Sequence, residues 1–221
     1  MKLLVYVEGP ADRVALEVLL KPIIERAQAN RIGLRFVPAN ITGVGKDWLL
    51  RHVGEKAAGH LSENPEDWVF ALPDLYPMAH YSGTAEAHES FDQLKNLLER
   101  RFKVRADRLG VPHSVRNRFQ VHCLKHDLEV LLLAAPDSLR KRLRTSDSLK
   151  GRWRNPVENQ NDNKPPKRIV EELFWRYQKR NYDGPTDAPW ILERAALDDV
   201  LAACPQCFAP FVEELRRAIS S

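Results

Sequence analysis

Three acidic side chains stand where apolar segments of the sequence end, and together they could support metal chemistry. They are Glu8, Asp74 and Glu129. Hard cations such as Mg²⁺ and Mn²⁺ prefer carboxylate oxygens, and a metal held by several carboxylates promotes hydrolysis of phosphodiesters. These three residues are therefore candidate catalytic residues and metal ligands.

The elements that must position these acids are predicted by hydrophobic pattern. Apolar runs typical of buried strands alternate along the chain with segments of helical periodicity. This alternation is typical of βαβ units and a mostly parallel sheet. Glu8 and Asp74 follow the first and third runs, and Glu129 opens a helix just past the fourth. Because ligands bind at the carboxyl ends of such strands, all three acids are expected at one edge of the sheet. The predicted strands are residues 3–7, 34–37, 68–72 and 119–124, and the main predicted helices are 11–20, 23–29, 47–61, 85–102, 130–135, 167–178, 189–203 and 205–219.

Two further acids and a histidine lie beside the candidate ligands. Asp12 falls in the first turn of the first predicted helix, where it either caps the helix or joins the metal site. Asp127 precedes Glu129 by two residues and is a second additional ligand candidate. His126 would share a helical face with Glu129, where orienting a ligand or substrate suits it better than binding a hard cation.

The middle of the chain is strongly basic. Residues 100–180 contain 21 Lys and Arg against 9 Asp and Glu, whereas the net charge of the whole chain is +4. This asymmetry favours a polyanionic partner, DNA or RNA, although solubility explains many such segments. Trp153 either stacks on an unpaired base or belongs to the core. The predicted phosphate-binding residues are Arg140, Lys141, Arg142, Arg144, Lys150, Arg152 and Arg154.

The turn at residues 41–46 resembles a phosphate-binding loop only superficially. A P-loop requires a glycine where Asn40 stands and a Ser or Thr where Asp47 stands. The glycines of this turn are instead expected to let a strand pass into the helix that begins at Asp47.

Composition limits the class of protein. The chain has 221 residues, 43% of them hydrophobic and 29% charged, and contains no apolar run long enough to cross a bilayer. The three cysteines leave one unpaired in any disulfide scheme, which fits a reducing compartment. We expect a cytoplasmic protein with an α/β domain at residues 1–135 and a basic loop and helical extension at 136–221 packing on it.

The motifs resemble those of TOPRIM domains related to the OLD-family nucleases, and more narrowly a bacterial domain-of-unknown-function family of that group. The resemblance covers nearly the whole chain. It rests on five segments in order, namely Glu8-Gly9-Pro10, Leu72-Pro73-Asp74-Leu75-Tyr76, residues 126–133, Pro165-Pro166-Lys167-Arg168, and Tyr177-Gln178-Lys179.

This resemblance implies a TOPRIM-like (Rossmann-like) fold with a C-terminal helical extension, and Mg²⁺ or Mn²⁺ held by Glu8, Asp74 and Glu129. It also implies nuclease activity, in relatives that often act beside an ABC-type ATPase in defence against phage. Lys167 or Lys179 would offset phosphoryl charge, unless each is simply a solvated helix lysine. The general pattern has a second acid where Tyr76 stands, so one ligand is missing here, and Asp12 or Asp127 would have to compensate. The alternative function is a non-catalytic TOPRIM-like subunit that binds nucleic acid or docks on a partner ATPase.

Overall fold

The computed structural model describes residues 1–39, 45–76, 79–161 and 163–221. The turn predicted at residues 41–46 therefore lies mostly outside the described residues, as do Pro77 and Asp162 of the predicted loops. In the described part of the chain, no helix is both long and apolar enough to span a membrane.

A parallel sheet forms the centre of the molecule, as the alternation of strand and helix patterns predicts. Its four strands within the described residues pair in the order β2-β1-β3-β4, all parallel. The α/β fold class and the mostly parallel sheet are thus confirmed. The strands are β1 (Lys2–Val7), β2 (Gly33–Pro38), β3 (Trp68–Ala71) and β4 (Phe119–Val121).

Helices cover both faces of the sheet. Their bounds are α1 (Pro10–Leu19), α2 (Lys21–Ala29), α3 (Gly45–Glu63), α4 (Phe91–Leu109), α5 (His113–Arg116), α6 (Val130–Leu133), α7 (Pro136–Leu143), α8 (Pro166–Gln178), α9 (Gly184–Leu192), α10 (Leu197–Ala203) and α11 (Phe208–Ser220). Short 3₁₀ turns lie at Ala79–Tyr81 and Val157–Asn159.

Some helix ends differ from the predicted ones for identifiable reasons. The helix predicted from residue 85 begins at Phe91, because the Ser90 side chain accepts a hydrogen bond from the Gln93 backbone and caps it there. It continues to Leu109 and ends at Gly110, which has a φ of +66° and so adopts the left-handed conformation that suits glycine. The single helix predicted over residues 189–203 is in fact α9 and α10.

Alternate strand residues face two separate cores. Phe70 belongs to a core formed with α1, α2 and the C-terminal helices, whereas Val69 and Ala71 belong to a core formed with α3 and α4. The first core contains residues from both predicted segments, from Leu3 through Ile219. The C-terminal helices therefore pack against one face of the sheet, and the carboxyl edge of the strands remains available for a site.

Candidate metal and nucleic-acid site

The first two candidate ligands meet at the carboxyl edge of the sheet. Glu8 directly follows β1, and Asp74 follows the neighbouring strand β3 after a Leu-Pro pair. The backbone N–H of Asp74 donates a hydrogen bond of 3.0 Å to Glu8 Oε1. The ends of two adjacent strands are therefore joined through one of the candidate carboxylates.

The segment after β4 brings the remaining acids to the same edge. Asp74 forms an isolated parallel bridge with Leu124, and the Tyr76 backbone N–H donates to the His126 carbonyl at 2.8 Å. This pairing extends the β3–β4 ladder past the strands themselves. It places the turn that contains Asp127 and Glu129 next to Asp74.

The prediction that His126 and Glu129 share a helical face is wrong. Residues 126–129 form a bend and turn, and α6 begins only at Val130. His126 is buried, and its Nε2 donates to the Gln160 carbonyl at 2.7 Å. The histidine thus ties the turn that carries the acids to the loop that precedes α8.

Five carboxyl groups influence one another at this edge, and we call Glu8, Asp12, Asp74, Asp127 and Glu129 the acid cluster. The pKa of Asp74 is raised well above its ordinary value, first by burial and then by the negative charges of the other four members. Burial also raises the pKa of Glu8 to about 7. Burial and the charge of Glu129 raise the pKa of Asp127 to about 8.

Lys46 faces this cluster, and sequence reasoning did not identify it as a site residue. It is 7% exposed, its Nζ donates to the Leu75 carbonyl at 3.0 Å, and it lies 5.2 Å from the centre of the Tyr81 ring. Its charge opposes the rise in the pKa of Glu8.

Gly45 explains how Lys46 comes so near to the acid cluster. A Cβ added at Gly45 would lie 1.9 Å from the Glu8 carbonyl oxygen, so only glycine lets the start of α3 approach the end of β1. The Gly-Lys pair at a helix start was the available signal in the sequence. This pair lacks the flanking residues of a P-loop, so it indicates a close approach of backbones rather than a phosphate-binding loop.

Lys167 is the second cation of the site, at the amino end of α8. Its backbone N–H donates to Asp127 Oδ2 at 3.2 Å, and its side chain is exposed. The charge of Lys167 lowers the pKa of Glu129 against the larger effect of burial. Lys179 caps the other end of α8, roughly 18 Å along the helix axis from Lys167, so the structure separates the two candidate lysines.

Asp12 acts as a helix cap. Its Oδ2 accepts a hydrogen bond of 2.7 Å from the backbone N–H of Gly9 at the start of α1. Burial raises its pKa, and the hydrogen bond from Gly9 and the charge of Lys167 oppose that rise. One carboxylate oxygen of Asp12 is thus engaged, and within the described residues the other accepts no hydrogen bond.

The oxygen-rich donor set suits a hard divalent cation. Asp127 Oδ1 is buried without a hydrogen-bond partner among the described residues, and cluster acids with raised pKa values gain from a nearby positive charge. Within residues 1–39, 45–76, 79–161 and 163–221, however, no three His, Cys, Asp or Glu side chains are grouped closely enough to hold an ion. Binding of Mg²⁺ or Mn²⁺ therefore requires these side chains to close around it.

Many of the predicted phosphate-binding residues already have partners. Arg140 and Lys150 both form ion pairs with Asp137, and Arg152 pairs with Asp147. Arg142 pairs with the buried Asp187. Arg154 donates to the Asn159 carbonyl, whereas Lys141 and Arg144 are exposed.

The tryptophans divide between core and surface. Trp153 is half-buried and packs against the first core, while Trp175 is 60% exposed on α8. Trp175 lines a pocket of about 670 Å³ together with Tyr182. Burial first and the charge of Glu129 second raise the pKa of Tyr182, so this one residue of the pocket also interacts with the acid cluster.

Comparison with known proteins identifies the family. Residues 7–216 match the model of the family described as Domain of unknown function (DUF4276), so the chain belongs to that family. The match includes every member of the acid cluster as well as Lys46 and Lys167. Neither the curated proteins nor the solved structures give a significant match.

Proposed function

We propose that this protein is a divalent-metal-dependent nuclease of the TOPRIM, OLD-like type. The observation that carries the proposal is the acid cluster, in which the pKa of all five carboxyl groups is raised at the carboxyl edge of a parallel sheet, first by burial and, for Asp74, also by the other four acids. Strongly shifted pKa values from burial and like charges are typical of functional sites.

The balance of charge favours a functional explanation of the acid cluster over a structural one. Lys46 and Lys167 are the two lysines that act on the five acids in the described residues. Burying like-charged carboxyl groups costs folding free energy unless a cation compensates them. The excess of carboxyl groups over lysines in the cluster is explained if a hard cation binds there during function.

The residues at this site would have different roles in the reaction. Glu8, Asp74 and Glu129 would hold the metal, and Asp127 would contribute its Oδ1, which has no hydrogen-bond partner in the described part of the chain. Bound Mg²⁺ or Mn²⁺ supplies an activated water and neutralises charge on the phosphoryl oxygens. Lys167, exposed at the edge of the cluster, would contact a phosphoryl oxygen, while Lys46 moderates the repulsion around Glu8.

The proposed substrate is nucleic acid with unpaired bases. The exposed indole of Trp175, in the pocket that it shares with Tyr182, offers a stacking surface for a base, and such stacking tolerates any sequence. Arg168 lines the same pocket and would contact the adjacent phosphate in exchange for its present ion pair with Glu172. The resemblance to OLD-family nucleases adds a role in phage defence and an ABC-type ATPase partner to the proposal.

Cleavage assays test the assignment. Single-stranded and duplex DNA and RNA are incubated with Mg²⁺ or Mn²⁺ and with wild type, Glu129→Gln or the control Glu25→Gln, whose carboxylate lies on the exposed surface of α2. We expect cleavage by wild type and by the control and at least about a hundredfold loss in Glu129→Gln. Equal rates in all three proteins would sink the nuclease proposal. Nucleic-acid binding without any cleavage would instead support the non-catalytic subunit.

A further inference from the structure

A second pocket, far richer in arginine, lies where α7 and α8 end and α9 begins. It has a volume of about 580 Å³. None of the acid-cluster residues lines it. We call it the arginine pocket; its principal side chains are Arg142, Arg144, Arg180, Tyr177, Thr186 and Asp187.

A fully buried carboxylate fixes two of the arginines in place. Asp187 Oδ1 lies 2.6 Å from Arg142 Nη2 and 2.7 Å from Arg180 Nη2, and Arg180 Nη1 donates to Asp187 Oδ2 at 2.8 Å. The Arg142 guanidinium also lies 5.1 Å from the centre of the Trp190 ring. Both guanidinium groups are therefore oriented before any ligand arrives, which reduces the entropy lost on binding.

The charge of the pocket lining is positive despite this ion pairing. Three guanidinium groups face a single carboxylate, and Arg144 has no ion-pair partner among the described residues. The Arg142 and Arg180 side chains keep 22% and 38% of their surface exposed. Thr186 lies in the first turn of α9, where the helix dipole favours an anion.

We propose that the arginine pocket binds the phosphate group of a nucleotide or of a nucleic-acid strand end. Guanidinium groups match phosphate oxygens with paired N–H donors, and the Thr186 hydroxyl adds a further donor, whereas the Tyr177 hydroxyl already donates to Asp147 at 2.7 Å. A volume of about 580 Å³ exceeds what a phosphate alone needs, so room remains for an attached nucleoside. This proposal does not depend on the proposed nuclease activity, because none of the acid cluster takes part.

Calorimetric titration in EDTA tests phosphate binding separately from cleavage. The probes are inorganic phosphate, a nucleoside 5′-monophosphate, and one short oligonucleotide with either a 5′-phosphate or a 5′-hydroxyl. We expect saturable binding of the monophosphate. A preference for the 5′-phosphorylated oligonucleotide would identify a strand end as the source, and equal affinity for both oligonucleotides would identify the free nucleotide.

Paired variants show whether the arginine pocket is responsible. Arg144→Gln removes an exposed guanidinium from the pocket, and Lys103→Gln removes an equal charge from the exposed surface of α4, to which no binding role is assigned. For the monophosphate we expect about a tenfold loss of affinity in Arg144→Gln and almost none in Lys103→Gln. Absence of monophosphate binding to wild type, or equal weakening by both variants, would overturn the proposal.

Discussion

The carboxylate of Asp187 and those of the acid cluster are both withdrawn from water, yet their pKa values move in opposite directions. Burial raises the pKa of Asp187, but the hydrogen bonds from Arg180, Asp183 and Arg142 outweigh it, and the pKa ends below its ordinary value. In the acid cluster burial is the largest influence, and neighbouring acids add to it, so the pKa of Asp74 ends well above its ordinary value.

This contrast separates an acid that stabilises the fold from acids that strain it. Asp187 receives two guanidinium groups and a backbone N–H, so its negative charge is fully compensated in the folded protein. Asp74 faces four other carboxyl groups. Such repulsion between buried acids lowers stability, and the cation binding proposed above would relieve it.

Neutralising Asp74 is expected to produce the largest effect. Asp74→Asn keeps the backbone N–H that donates to Glu8 and removes one candidate ligand, so we expect at least about a hundredfold loss of metal-dependent cleavage. The free energy of unfolding of the metal-free protein should stay the same or rise, because one repulsive charge is gone. Cleavage rates and urea unfolding measure the two quantities. A variant that cleaves normally, or that unfolds much more readily, would break the contrast.

Neutralising Asp187 should have the opposite outcome. Asp187→Asn leaves two guanidinium groups without their carboxylate, and because these are partly exposed we expect a loss of about 2 kcal/mol in the free energy of unfolding. The cleavage rate of the folded fraction should change little. Asp147→Asn is the matched control, since Asp147 pairs with Arg152 at the exposed surface, and its unfolding midpoint should not move. If both variants unfold alike, Asp187 has no special structural role.

Replacing Lys46 is expected to have an intermediate effect on catalysis. Lys46→Gln removes the positive charge that opposes the rise in the pKa of Glu8, and so weakens ionisation of a candidate ligand. We expect about a tenfold loss in cleavage rate and a shift of its acid limb to higher pH. Lys56→Gln, which changes an exposed lysine of the same helix, should cleave like wild type. Identical pH profiles for the two variants would remove Lys46 from the site.

The sequence predicted those parts of the site that follow directly from strand pattern. Glu8 and Asp74 come directly after apolar runs, and parallel strands end at a common edge, so their meeting was foreseeable. The strand positions were predicted to within a few residues for the same reason. The fourth predicted strand extends past β4 because residues after Val121 continue the pairing only through the isolated bridge at Leu124.

The remaining parts of the site depend on tertiary contacts that leave no signal in the local sequence. Lys46 reaches the cluster because Gly45 packs against the Glu8 backbone, a contact between residues far apart in the chain. Likewise, nothing near Arg142 in the sequence indicates that Asp187 neutralises it. Charge counts over a segment therefore identified a basic region but not which arginines remain free to bind phosphate.

The smallest expected effect is a pH response that distinguishes the two kinds of buried acid. Since folding raises the pKa of Asp127 to about 8, the metal-free folded state holds a proton that the unfolded state has released, and stability should fall as pH rises from 6.5 to 8. His122, whose pKa is lowered to about 4, affects stability only below this window. Asp187, whose pKa is lowered, stabilises the fold throughout the window and loses this contribution only as pH falls below about 3.9.

We expect the melting temperature of wild type to drop by a few degrees as pH rises from 6.5 to 8, and that of Asp127→Asn to drop less. Added Mg²⁺ should reduce the slope in wild type, because the ion replaces the proton; a slope that neither Asp127→Asn nor Mg²⁺ changes would show that the acid cluster does not hold this proton.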